Sequence, residues 1–180
     1  MARRPFDPQA VLDALARGEL GCGDLDMRID RRGEWFYRGS RIGRPALVRL
    51  FAGVLHRGAD GVHWLITPVE RCRVEVEDVA FTGVAVERRG EGEAQLLEIR
   101  TNLGEEVAID GDHPLRMREG VPYVRVRGEL EARLLQPVFY ELAELAVAAP
   151  QDPDCLGVWS GGGFFPLGRL ADGEESGGDA

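Results

Sequence analysis

Hydrophobic and polar positions alternate along much of the chain, with interruptions at helical spacing. In the segment DLDMRID, three apolar residues alternate with charged ones, which is the period of a half-buried strand. The segment RRG then makes a turn, and EWFYR is predicted to be the hairpin partner. From Pro45 to about Gly58 the apolar residues recur at intervals of three and four, which predicts a helix.

The same alternation continues between Val62 and Val126 and predicts short antiparallel strands separated by turn residues. A second main helix is predicted from Pro137, and a short N-terminal helix from Asp7 to Gly18. We therefore expect an α+β fold that is mostly antiparallel β. The predicted strands are VHWLIT, RVEVE, FTGVAVE, AQLLEIRT, EVAID, LRMR and YVRVR.

An internal repeat organises this pattern. The segments Gly23–Gly39 and Gly111–Gly128 share the order Gly-Asp, apolar-Arg-apolar, Gly, aromatic, Arg-Gly. Each segment is followed by a helix that begins with proline, and each helix by Gly-Val and a tryptophan. We infer that a hairpin-helix-strand unit is duplicated.

The repeat predicts the domain organisation and separates scaffold from function. Residues 1–77 hold the short helix and the first copy, residues 78–170 the second, β-rich copy, and residues 171–180 a disordered acidic tail. Glycines, prolines and tryptophans shared by both copies are most simply structural. Polar residues confined to one copy are candidates for function. They are Asp26, Arg41, Arg44, Thr67, Glu70, Asn102, His113 and Ser160.

Composition excludes several classes of protein. All 22 basic residues are arginine, which excludes the usual lysine-dependent phosphate loops, protein kinases and Schiff-base enzymes. The isolated histidines and cysteines have no metal-ligand spacing, so no metal or cofactor is expected. No apolar window approaches a membrane span of about 18 residues, and no signal peptide is evident. We expect a cytoplasmic protein without a membrane partner.

One segment is basic in an acidic chain. From Arg28 to Arg49, seven arginines face two acids, a local charge of +5 (7 − 2), whereas the whole chain carries −9. Arg41 and Arg44 precede the helix at Pro45, where backbone N–H groups and the helix dipole favour an anion. The alternative is a solvated face paired with neighbouring acids. The acidic chain argues against nucleic acid as a partner.

Six further segments carry a family resemblance: LITPVE, RTNLGEEV, DHPLR, PYVRVRGELEARL, FYEL and GVWSGG. Together with the first hairpin, and in this order, they resemble the bacterial domain-of-unknown-function family 1285 from about Cys22 to Leu167. The resemblance implies a duplicated core and a C-terminal half similar to a pleckstrin-homology barrel. It also implies a pocket between the halves for a nucleotide-like ligand in signalling. It implies no established activity.

The leading hypothesis is a module that binds a phosphorylated or otherwise anionic small molecule in the cleft between the copies. Arg41 and Arg44 would bind the anion, and Trp35 or Tyr37 would stack on a base. One alternative is a protein-interaction adaptor without a ligand. Another is a hydrolase using His113 and Ser160, although no Gly-x-Ser-x-Gly motif surrounds the serine. We expect a binding protein rather than an enzyme. The remaining candidate site residues are Thr67, Glu70 and Asn102.

Overall fold

The structure is a computed structural model that describes residues 26–67 and 71–170. The predicted N-terminal helix, Glu70 and the predicted acidic tail lie outside the described residues. Within the described ranges, no helix has both the length and the apolar character needed to cross a membrane.

The first sheet combines two three-stranded antiparallel meanders. Its strands are β1 (Met27–Ile29), β2 (Trp35–Tyr37), β3 (Ser40–Arg41), β4 (Leu55–Arg57), β5 (His63–Ile66) and β6 (Arg71–Val76). Their spatial order is β3-β2-β1-β6-β5-β4, and the meanders join through the parallel pair β1 and β6. Helix α1 (Pro45–Gly53) connects the meanders and buries Leu47 and Phe51, one turn apart, in the core.

The second sheet repeats this arrangement of two meanders. Its strands are β7 (Phe81–Arg89), β8 (Leu96–Thr101), β9 (Glu106–Ala108), β10 (Leu115–Arg118), β11 (Val121–Arg127) and β12 (Leu130–Leu134). Their order is β10-β11-β12-β7-β8-β9, with the parallel pair β12 and β7 at the centre. A single 3₁₀ turn, Gly92–Ala94, lies between β7 and β8.

Helix α2 and a small third sheet complete the described chain. The helix spans Gln136–Glu144 and follows β12 directly. The sheet contains β13 (Val147–Ala149), β14 (Asp152–Ser160) and β15 (Gly163–Arg169) in that order. Strand β15 also lies against β10 of the second sheet.

The predicted fold class and duplication are confirmed. The order of three strands, a helix with proline in its first turn, and three strands occurs from β1 to β6 and again from β10 to β15. One of the two six-stranded sheets curls into a half-barrel, as the resemblance implied. The copies differ in their closure, because β6 pairs with β1 whereas β15 contacts β10 without joining its sheet. Strands β7 to β9 lie between the two copies in sequence.

Two local predictions were wrong. Helix α1 ends at Gly53 rather than near Gly58, because the next residues form β4 and pair with β5. The duplicated unit predicted a single strand after the second helix, whereas the segment GVWSGGGFFPLG belongs to the β14–β15 hairpin. Gly161 and Gly162, with φ of 55° and 79°, form the tight two-residue turn of this hairpin.

One continuous hydrophobic core connects all three sheets. Within this core, the Trp35 and Phe51 rings stack with centroids 6.2 Å apart, so the first hairpin is packed against α1. Phe81 and Leu97 of the second sheet belong to the same core and are fully buried. The first and second sheets therefore pack as one unit, and polar groups at their boundary hold a defined geometry.

Candidate functional site

A cavity of about 290 Å³ lies where the β1–β2 turn, the start of α1 and the β8–β9 turn meet. It is termed the inter-sheet cavity, because its walls come from both large sheets. Three predicted site residues line it: Trp35, Arg41 and Asn102. The remaining lining residues are Arg32, Gly33, Glu34, Ile42, Gly43, Pro45, Val48 and Leu103.

The β1–β2 turn owes its shape to Asp30. The Asp30 Oδ1 atom accepts hydrogen bonds from the backbone N–H groups of Arg32 and Glu34, both at 2.9 Å. Gly33 has φ of 76°, a left-handed conformation that glycine adopts without a steric penalty. The turn thereby brings one guanidinium and one carboxylate to the inter-sheet cavity.

The inter-sheet cavity carries a small positive charge. Arg41 Nη2 lies 2.8 Å from Glu34 Oε1, and the two side chains are 63% and 34% exposed. Such an exposed ion pair contributes at most about 1 kcal/mol, so a bound anion can displace it. Within residues 26–67 and 71–170 the Arg32 guanidinium has no hydrogen-bond or ion-pair partner. The lining residues therefore carry a net charge of +1 (2 − 1).

The start of α1 adds the positive end of a helix dipole. Arg44 is the N-cap residue, and no side chain from the described part of the protein caps this helix end. The first turn also contains no acidic residue. Pro45 lines the inter-sheet cavity, whereas the exposed Arg44 is not among its lining residues. The helix start thus favours an anion there even without Arg44 in the wall.

Trp35 and Tyr37 are both buried, at 1% and 8% exposure. This burial does not support the expected stacking of either ring on a ligand base. Trp35 is instead among the residues that line the inter-sheet cavity, and its buried indole Nε1–H has no hydrogen-bond partner in the described part of the chain. A buried unpaired donor is unusual and costs stability, unless a ligand or water accepts from it.

Asn102 joins the two large sheets at the edge of the cavity. Its Oδ1 accepts a hydrogen bond from the Thr82 N–H at 3.0 Å, and its Nδ2 donates to the Gly33 carbonyl oxygen at 3.2 Å. Beside it, Arg49 Nε donates to the Leu103 carbonyl oxygen at 3.0 Å. These contacts hold the β8–β9 turn against the β1–β2 turn, so the cavity has a defined wall.

Arg127 makes another contact between the sheets that sequence reasoning missed. From β11, its guanidinium donates to the Leu55 carbonyl oxygen at 3.1 Å and to that of Ala52, at the C-terminal end of α1. It also pairs with Glu105 at 3.5 Å. Arg127 belongs to the Arg-Gly motif that both copies share, so it was placed with the scaffold. No signal in the sequence distinguishes it from Arg38, its counterpart.

The residues of the hydrolase hypothesis have structural partners. Ser160 is fully buried, and its hydroxyl donates to the Ile109 carbonyl oxygen at 2.6 Å while accepting from the Leu97 N–H at 2.9 Å. A hydroxyl in this position is not accessible to a substrate. This arrangement favours a role in holding β14 against the second sheet.

His113 is part of a turn stabilised by Asp110. The Asp110 Oδ1 atom lies 3.1 Å from His113 Nδ1 and accepts the His113 backbone N–H at 2.8 Å. Partial desolvation acts to raise the pKa of Asp110, but the hydrogen bonds from His113 and Asp112 lower it overall. The charged carboxylate is therefore the form that stabilises this turn.

The other candidate residues lie elsewhere. Thr67 follows β5 and is not among the residues that line the inter-sheet cavity, and Glu70 lies outside the described residues. The structure therefore brings Trp35, Arg41 and Asn102 together, adds Arg32 and Glu34, and leaves the remaining candidates apart.

Comparisons with known proteins place this architecture among relatives. Residues 20–79 match a family model described as "Domain of unknown function (DUF1285), N-terminal domain". Residues 80–167 match one described as "Protein of unknown function (DUF1285), C-terminal domain". A search of curated proteins finds no match. The predicted boundary between residues 77 and 78 remains a prediction.

Two crystal structures are similar to this chain. A DUF1285 family protein from Silicibacter pomeroyi DSS-3 is 40% identical, with a TM-score of 0.77 and 82% of each chain covered. A DUF1285 family protein from Shewanella baltica OS155 is 27% identical, with a TM-score of 0.56, covering 67% of this chain and 91% of that chain.

Proposed function

Since the chain belongs to the bacterial DUF1285 family, whose name assigns no activity, we propose from its geometry that it binds a small anionic molecule in the inter-sheet cavity. The volume of about 290 Å³ is near the lower limit of ordinary ligand sites. A phosphorylated or carboxylated metabolite no larger than a mononucleotide suits this volume. In bacterial signalling or regulation, such a molecule would be sensed rather than transformed.

The observation that carries the proposal is the convergence of two electropositive features on one cavity. These are the guanidiniums of Arg32 and Arg41 and the uncapped start of α1. An anion would accept charge-assisted hydrogen bonds from the guanidiniums, and the helix dipole would attract it without a hydrogen bond, because Pro45 has no N–H group. Each feature supports an acceptor-rich ligand.

Glu34 determines what the ligand has to displace. Its carboxylate holds Arg41 at 2.8 Å and faces the same cavity. A dianionic phosphate competes for this guanidinium better than a carboxylate with one charge, because the attraction grows with the charge. We therefore expect phosphates to bind more tightly than carboxylates of similar size.

Isothermal titration calorimetry with inorganic phosphate, pyrophosphate and a panel of mononucleotides tests the proposal. Arg41→Gln should weaken the best ligand about tenfold, because one charge-assisted hydrogen bond is lost. Glu34→Gln should strengthen it several-fold by removing the competing carboxylate. Arg31→Gln is the matched control for Arg41→Gln. Arg31 lies in the β1–β2 turn and is exposed, but it does not line the cavity.

The proposal fails if none of these anions binds at millimolar concentration, or if Arg31→Gln and Arg41→Gln weaken binding equally. A general attraction to basic surface would produce the second result. Failure of all anions would make the interaction adaptor the better hypothesis.

A further inference from the structure

A second and larger cavity, of about 560 Å³, lies at the C-terminal end of α2. It is termed the helix-end cavity and lies between the C-terminal end of α2, strand β13, the 3₁₀ turn and Trp159 of β14. Its apolar wall consists mainly of residues 145–148. None of its lining residues belongs to the inter-sheet cavity.

Most of the polar side chains that line the helix-end cavity carry hydrogen-bond acceptors. Glu144 is the last residue of α2, and the last turn of this helix contains no basic residue. The negative end of the helix dipole is therefore reinforced by a carboxylate. Glu93, in the 3₁₀ turn, lines the same cavity and is exposed.

Arg88 is the one cationic side chain among the lining residues, and its guanidinium has other partners. Its Nε donates to the Gly90 carbonyl oxygen at 3.0 Å, and its Nη2 lies 3.7 Å from Glu91. The charge of Arg88 is thus partly used within its own turn. With Glu93 and Glu144 the lining residues carry a net charge of −1 (1 − 2).

Gln95 contributes a further acceptor to this cavity. It is only 5% exposed, and its Nε2 donates to the Trp159 carbonyl oxygen at 2.8 Å, which defines the orientation of the amide. Within the described ranges its Oε1 accepts no hydrogen bond. An amide oxygen without a protein partner, on a residue that lines a cavity, is a position for a ligand donor.

Trp159 supplies an aromatic wall. It is half-buried and meets Phe164 edge to face, with centroids 5.4 Å apart, which holds the indole in place. Cations bind over the electron-rich face of tryptophan more strongly than over any other side chain. Carboxylates, a free amide oxygen, an indole face and an aliphatic wall together suit a cation on an apolar chain.

We propose that the helix-end cavity binds an alkylammonium group, meaning a primary amine carried on several methylene groups. The ammonium would donate to Glu144, Glu93 and Gln95, and the methylenes would lie against Trp159 and the apolar wall. The chain contains no lysine, so a second copy of this protein cannot supply the group. It comes from a free amine or from a lysine side chain of another protein.

Calorimetry on the full chain with pentan-1-amine, pentan-1-ol and pentanoate tests the charge requirement. The amine should bind at least tenfold more tightly than the alcohol, and pentanoate should not bind. Glu144→Gln should weaken the amine about fivefold, because an ion pair becomes a neutral hydrogen bond. Glu141→Gln is the matched control, since Glu141 is exposed on the same helix but does not line the cavity.

The peptide Ala-Ala-Lys-Ala-Ala and its norleucine counterpart distinguish the two sources. Tighter binding of the lysine peptide than of the amine would assign the group to a partner protein, and equal or weaker binding would assign it to a free amine. The inference is overturned if neither pentan-1-amine nor the lysine peptide binds at millimolar concentration. It is equally overturned if pentan-1-ol binds as tightly as the amine, or if Glu144→Gln and Glu141→Gln have the same effect on amine binding.

Discussion

The two helices α1 and α2, each with proline in its first turn, occupy the same position in the duplicated unit but present opposite ends to a cavity. In the first copy, the start of α1 adjoins the inter-sheet cavity while Arg127 donates to the carbonyl groups at its other end. In the second copy, the end of α2 lines the helix-end cavity, and at its start Gln136 Nε2 donates to the Tyr140 hydroxyl at 2.6 Å. The first copy therefore presents the positive pole of its helix to a cavity, and the second copy presents the negative pole.

The difference lies in what surrounds each helix rather than in the helix. Both have nine residues, proline in the first turn and no capping side chain from the described residues. Strands β7 to β9 follow the first copy and precede the second, so the β8–β9 turn reaches α1. The comparison teaches that the two copies share a scaffold, and that the β7–β9 region between them contributes to two chemically distinct cavities.

The largest loss of stability is expected when the donor at the C-terminal end of α1 is removed. Arg127→Met removes a charged donor from two main-chain carbonyls, and we expect the free energy of unfolding to fall by about 3 kcal/mol. Urea unfolding measures this loss. Arg125→Met, on the same strand, should change it by less than about 0.5 kcal/mol. Equal losses in both variants would contradict the role assigned to Arg127.

Acidification should affect the first copy through a buried histidine that the second copy lacks. Burial, and then the charge of Arg57, lower the pKa of His63 to about 4, against 6.5 for an exposed histidine. The unfolded chain therefore takes up the proton first, so stability is full above about pH 6.5 and is lost as the pH falls towards 4. From pH 7 to 5 we expect a loss of about 2 kcal/mol.

Urea unfolding at several pH values checks this expectation. His63→Leu should remove that part of the pH dependence, whereas His56→Leu, at an exposed position of β4, should retain it. An unchanged slope in His63→Leu would show that other groups cause the acid sensitivity.

A smaller effect is expected at the contact between the β1–β2 and β8–β9 turns. Asn102→Ala loses the hydrogen bonds to Thr82 and Gly33 and should lower the free energy of unfolding by about 1 kcal/mol. Asn102→Asp retains the acceptor for the Thr82 N–H and should lose less, while its added charge should weaken anion binding. If Asn102→Asp binds the anion as well as the natural protein, the inter-sheet cavity is not the site.

The smallest effect is predicted at the start of α2. Gln136→Arg places a guanidinium where the first copy has Arg44, and stability should change by less than about 0.5 kcal/mol. Because the start of α2 lines neither described cavity, this variant should gain no anion binding when combined with Arg41→Gln. Calorimetry that shows restored binding would mean that a helix start alone is sufficient.

Local patterns predicted much of the fold. Alternation identified the hairpins at Met27–Tyr37 and Leu115–Arg127, since period-two apolar residues have one buried face. It did not identify the β14–β15 hairpin, where glycines interrupt the pattern and pairing across the turn forms the strands. The end of α1 was also misplaced, because pairing of β4 with β5 overrides helical spacing.

The candidate site was predictable only where a residue could be distinguished by its sequence position. Arg41 was chosen from its place before a proline-initiated helix, and Asn102 from its absence in the other copy. Arg127 and Arg32 were not chosen, because one lies in a shared motif and the other in a run of arginines. The role of Arg127 depends on the main-chain carbonyl groups that it reaches, and that of Arg32 on the inter-sheet cavity that it lines.

The amino-acid sequence by itself determined the duplication and the two helices with proline in the first turn, because turns, caps and periodicity act between near neighbours. Only the tertiary structure decided which helix pole borders a cavity and which arginines line it. The physical reason is that a charge is neutralised or left available by partners distant in sequence, whose positions follow from how the sheets pack.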